Sequence, residues 1–409
     1  MKLPSKLPHS QKLKNMKRKL PPARTSAGIS ILDWMKSKPY STSTSYDRAF
    51  LPLCNDVFHL LNERKDWFDS GEVDRELRKE LACMLVSYFE DFVSEIGVWK
   101  AFTDCNLELH GYRLPFYDLS EYDSDYLNVE DFAYLIWHFK TKCLDTEIYA
   151  PDSPTILNLA EEIYELLEAQ IEEVPATDFY DSFLTIEAGH DFFDVKTKLA
   201  WVGTDSYLMG WELGKVLKKE MDEFLKAEES RLYPEMVKPM LYTLQEDFLY
   251  SKRCSFAALN APEWLARVAK CAETKRVEIA ELQFRHEGTY RYDGEEKDHY
   301  LFTHMTTDRQ YWVAKKSVKK GDIGIPGETY FIMNLLQWEG EWMLTGTMMG
   351  GEMEPEAVEK EKYKQSKTPW IYPEERLNKM AETTGLMYKA FVDFFGSPLA
   401  WFGSQQKLQ

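Results

Sequence analysis

The stretch YFIMNLLQWEGEWMLTGTMMG, Tyr330 to Gly350, decides how this chain is read. Two apolar runs flank Gln337-Trp338-Glu339-Gly340-Glu341-Trp342, and Glu339-Gly340-Glu341 has the composition of a turn, so the segment predicts a β-hairpin. Alternation puts Phe331, Met333 and Leu335 on one side and leaves Ile332, Leu336 and Trp338 on the other. A strand apolar on both faces must be covered twice. The hairpin is therefore the expected seam between a small sheet and a larger body.

Upstream, the same period of two runs through FRHEGTYRY, HYLFTHM and RQYWVAKKSV, punctuated by Asp293-Gly294, Thr306-Thr307-Asp308 and a Gly/Pro segment from Gly321 to Gly327. With the hairpin this makes about five short strands, enough for a small antiparallel β-barrel-like or curved-sheet unit. Before Leu282 the period is 3.6. DRAFLPLCNDVFHLL predicts a helix capped by Asp47; a second is expected from Ser70 to Gly97; Asn128 with Asp131 and Ser153 with Pro154 mark two further starts. Three more helices are expected at about Ser206 to Glu228, Pro234 to Phe248 and Pro262 to Ala280. Thr103 to Leu127 and Asp178 to Gly203 read as irregular. The expected fold is α+β: a basic arm at 1–32, a mostly helical body at 33–280, a small β-domain at 281–350, and an acidic linker with a C-terminal helix at 351–409.

A chain of 409 residues exceeds the usual single core, and 44% hydrophobic with 29% charged residues excludes a disordered or fibrous protein. No apolar run approaches the ~18 residues of a membrane-spanning helix. The start is basic but lacks the apolar block of a secretory signal, so a cytoplasmic protein is expected. The six cysteines form no C-x-x-C pair and predict free thiols. Residues 1–32 carry eight bases and no acid, leaving 42 bases against 68 acids in the remainder. That acidic body repels phosphate and disfavours a nucleic-acid coat.

Three readings of function compete. The first is a binding or interaction protein for an unidentified protein or small ligand, using basic and aromatic residues of the β-domain: Tyr290, Tyr292, Trp312, Lys315 and Lys316. The second is a metal- or acid/base-assisted hydrolase, since His190 lies beside Asp191 and Asp194, carboxylates able to orient an imidazole. The third is nucleic-acid association through the arm and Lys315, Lys316, Lys319 and Lys320. The acids of YDLSEYDSDYLNVED lack the central Gly and terminal Glu of an EF-hand, so no metal is assigned. Phosphate-cradling and nucleophile-elbow motifs are absent from the sequence, and no cofactor is implied.

Asp33-Trp34, Pro39-Tyr40, Asp47 and Leu53-Cys54-Asn55, together with Gly288-x-Tyr290, His304, Thr306-Thr307, Lys316-Ser317 and the Trp338/Trp342 hairpin, carry a resemblance. On these motifs the chain resembles an uncharacterised family of bacterial proteins of about this length, mainly from Bacteroidetes. That family has no assigned activity, so the resemblance implies no catalytic or binding residue.

Overall fold

A computed structural model describes residues 28–64, 75–143, 150–228, 233–255, 257–318, 329–367 and several helical positions between 382 and 394. The 3.6 period becomes α1 (Ile31–Trp34), α2 (Ser45–Glu63), α3 (Arg75–Val93), α4 (Val98–His110), α5 (Val129–Cys143), α6 (Pro154–Glu168), α7 (Phe179–Leu184), α8 (Phe192–Ala200), α9 (Tyr207–Met209), α10 (Lys215–Glu228), α11 (Pro234–Ser251), α12 (Ala261–Val268) and α13 (Glu273–Glu281). Their apolar faces meet in one core, with Phe50, Leu85, Phe89, Phe132, Leu135, Ile163 and Trp264 fully buried. No helix among the described residues is long and apolar enough to cross a membrane.

Several boundaries differ from the sequence reading, each for a local reason. Asp47 does not cap α2. Thr44 does, and Asp47 completes a capping box as the third helical residue. The helix expected to end at Gly97 stops at Val93, because the buried Asp91 carboxylate accepts the backbone N–H groups of Gly97 and Trp99 and turns the chain. Gly97, at φ 93°, then starts α4, which from Thr103 onward falls in a stretch read as irregular, as do α7 and α8. The expected helix from Pro262 to Ala280 divides into α12 and α13 where Lys270 bridges Thr185. Ile29, assigned to the arm, is buried and hydrogen-bonded to Asn55; residues 1–27 lie outside the described residues.

The sheet comprises β1 (His286–Glu295), β2 (His299–His304), β3 (Gln310–Ala314), β4 (Thr329–Trp338) and β5 (Glu341–Glu352), in the order β1-β2-β3-β5-β4. Neighbours are antiparallel except β3 and β5, which meet in parallel at Val313 and Trp342. That single bridge closes the strands, so the sheet is mixed rather than a regular antiparallel barrel. Asp293-Gly294, read as a turn, is a bulge inside β1: pairing resumes at Gly294 with Leu301. The acidic segment read as a linker is the end of β5 followed by α14 (Pro355–Lys367).

The hairpin is buried on both sides. Phe331, Met333 and Leu335 join Tyr290, Phe302, Tyr311 and Val313 inside the sheet. Leu336, Trp338 and Met343 belong instead to the helical core. Trp338 donates through Nε1 to the His190 carbonyl at 3.2 Å, and the Lys275 ammonium sits 4.5 Å over its ring. Burial of each such side chain stabilises the junction by roughly 1.5–3 kcal/mol. Ile332, at 54% exposed, lies beyond the covered part of the strand.

Candidate functional site

Among the described residues a concavity in the helical body is lined by Pro39 and Tyr40, held in place from behind by Trp34. Trp34 is fully buried and stacks on Phe50 at 5.8 Å between ring centroids. Its indole N–H donates to Asp47, which also accepts from the Tyr40 hydroxyl at 2.9 Å. After Trp34 the chain tightens into a 3₁₀ turn, Met35–Ser37, and Lys38 is extended because Pro39 follows it. The Lys38 ammonium lies 3.5 Å over the Trp34 ring and pairs with Glu90 of α3, each side chain 1% exposed. Burial pushes the Glu90 carboxyl up, opposed by Lys38.

Opposite stands an unusual helix. Residues Trp201–Asp205 and Gly210–Gly214 are wound as π-turns, a conformation often found at functional sites. The second turn packs so tightly on the first that a Cβ on Gly214 would lie 2.4 Å from the Thr204 carbonyl oxygen. Trp201 donates to the Ser37 carbonyl at 2.9 Å, fixing one wall against the other.

Between the walls is a cavity of about 700 Å³, within the range of small-molecule sites. Its rings are Tyr40, Tyr46, Phe179 and Trp201, and its hydroxyls Ser41, Thr42, Thr44, Thr177 and Thr197. Asp205 lies on its rim, accessible to solvent yet surrounded by protein on a concave surface, and that desolvation pushes its carboxyl above the usual range. A second cavity, about 370 Å³, shares Asp205 and is lined by Ser37, Cys83, Ser87 and Tyr207 among others. A neck of about 10 Å³ shares Lys38 and Trp201 with the first cavity, and Ser37, Ser87 and Tyr207 with the second. Glu90 lines this neck, and its Oε1 is buried without a hydrogen-bond partner.

The residues singled out from sequence lie elsewhere. His190 stands beside the hairpin, its side chain 26% exposed, with Nε2 4.0 Å from Asp194 and 3.3 Å from the Lys198 ammonium. Asp191 caps α8 by accepting from the Phe193 N–H, and Asp194 is exposed. None of the three lines these cavities. Tyr290 is not on a binding face: it is fully buried in the sheet and donates to the His286 carbonyl. Tyr292 is half-buried against Phe302, whereas Trp312 is 42% exposed. Lys315 pairs with Glu295 at 2.8 Å and Lys316 with Glu341; Lys319 and Lys320 lie outside the described residues.

Sequence reasoning missed Lys38, Glu90, Trp201 and Asp205. The hydroxyl-rich PYSTSTSY was the visible signal, since seven polar or aromatic residues after a proline are poor core material and good cavity lining. Among the described residues no group of three or more His, Cys, Asp or Glu is arranged to hold a metal ion.

No curated protein and no solved structure matches the chain significantly. Residues 29–307 match a family described as protein of unknown function (DUF3843), and the chain belongs to that family.

Proposed function

We propose that this protein binds a small polyhydroxylated ligand in the cavity beneath residues 38–46. The observation that carries the reading is the lining itself: Tyr40, Tyr46, Phe179 and Trp201 offer apolar faces beside five Ser and Thr hydroxyls. A sugar ring has that dual character, with C–H faces that pack on aromatics and a rim of hydroxyls that need partners. The five described free thiols fit a reducing, cytoplasmic setting. The test is calorimetry on the full chain with a panel of neutral mono- and oligosaccharides, repeated on Thr42→Trp, an exposed position from which an indole would fill the cavity. Binding by the native chain and its loss in the variant is the expected result. Equal binding by both, or none by the native chain, removes the proposal.

A second reading, partner binding through the β-domain, retains support from the exposed Trp312. Pull-down with Trp312→Ala tests it. The hydrolase reading centred on His190 has the weaker support of a half-buried His with one carboxylate 4.0 Å away, and the nucleic-acid reading is weakened by the pairing of Lys315 and Lys316 with acids.

A further inference from the structure

We infer that the ligand of the 700 Å³ cavity carries a protonated amine, which makes an amino sugar the class of molecule it takes; this rests on the polyol reading above. Among the described residues two charged side chains line that cavity, Lys38 and Asp205. Lys38 is withdrawn into its pair with Glu90, with 1% of the side chain exposed. Asp205 alone presents its charge to the space.

Behind the aromatic wall the balance is also acidic. Asp47, Glu90 and Asp91 are buried there, and Lys38 is the base facing Glu90. Glu90, 1% exposed, lines the neck that shares residues with both cavities, and its Oε1 has no hydrogen-bond partner among the described residues. A buried acceptor without a donor is costly, and a carboxylate field behind aromatic faces favours a cation. An ammonium on the ligand donates a charge-assisted hydrogen bond to Asp205 and lies in the field of Glu90 and Asp47. A neutral sugar fills the hydroxyl-lined part and offers Asp205 no counter-charge, while an anion is opposed by it.

The test is titration calorimetry of the full chain with glucosamine, glucose, N-acetylglucosamine and choline at about pH 6.5, where a primary amine is protonated. Glucosamine is expected to bind at least about tenfold tighter than glucose and N-acetylglucosamine, and Asp205→Asn, at an accessible position, is expected to abolish that preference while retaining weak binding of glucose. Neutral sugars binding as well as glucosamine would overturn this inference and leave the polyol reading standing. Choline binding without glucosamine binding would overturn it in favour of a simple aromatic cage, and no binding by any probe would remove both readings. A preference for glucosamine that survives in Asp205→Asn but is lost in Glu90→Gln would move the amine site to the neck and overturn the assignment to Asp205.

Discussion

Lys38 and Glu90, one beside a proline and the other in the middle of α3, form an ion pair inside the helical body with 1% of each side chain exposed. Two charges taken so far from water hold each other in place, and neither tolerates the loss of its partner. Lys38→Met is expected to cost about 3–5 kcal/mol in urea denaturation, because it strands a buried carboxylate, and Lys38→Met with Glu90→Leu is expected to recover most of that. A double variant no more stable than the single would refute this account of the pair.

The second prediction concerns pH. Asp131 is fully buried, and that burial raises its carboxyl to about 6, against the lowering effect of hydrogen bonds from Tyr88, Tyr122 and Asn128. A carboxyl whose folded value is raised favours the folded state when protonated. Its contribution is full below the unfolded value near 3.8 and is lost as pH rises through about 6. The stability difference between the native chain and Asp131→Asn should therefore shift by roughly 2 kcal/mol against the native chain from pH 4 to 7, the rest of the effect lying below pH 4. Parallel pH curves for the two proteins would contradict it.

A third prediction explains a motif. Gly288 faces the His304 imidazole so closely that a Cβ would lie 2.2 Å from Nε2. His304 is 1% exposed, and its Nδ1 is engaged by the N–H groups of Thr306 and Thr307, so the ring has no room to retreat. Gly288→Ala should cost about 1–3 kcal/mol through overpacking of β1 against β2. An unchanged melting temperature would show that the ring can move.

The π-turns supply a fourth. Gly214→Ala would push a methyl onto the Thr204 carbonyl and displace the turn that carries Trp201 and Asp205. We expect a loss of about 1–3 kcal/mol and a shift in Trp fluorescence, while Lys219→Ala, exposed further along α10, changes neither by much.

The last concerns the seam. Trp338→Ala should cost about 3–5 kcal/mol and expose the junction to limited proteolysis, whereas Trp338→Phe, which keeps the ring but loses the bond to His190, should keep most of the stability. Equal protease resistance in all three proteins would count against the hairpin as the junction.

Much of this architecture was legible. The Ser153-Pro154 start of α6 appears as read, with the Ser153 hydroxyl accepting the Ile156 N–H. The change of period near Leu282 marks the end of α13 at Glu281, and the double-faced hairpin packs on both cores. What failed was local punctuation outweighed by distant groups. Gly97 looked like the end of a helix, but Asp91 had already ended it; Asp293-Gly294 looked like a turn, but pairing with Leu301 kept the strand going.

Sequence periodicity alone determined which faces are buried, because the side-chain repeat of a helix or strand is set by its backbone. It also determined that the Tyr330–Gly350 hairpin needs cover on two sides. Only the tertiary structure decided where the chemistry sits. Lys38 meets a carboxylate 52 residues away, and Trp201 reaches the Ser37 carbonyl across 164 residues. No local pattern encodes such meetings: they exist because packing brings the π-turns and the Lys38-Pro39-Tyr40 segment to one place, burying Glu90 and surrounding the accessible Asp205 with protein, and that desolvation raises both carboxyls.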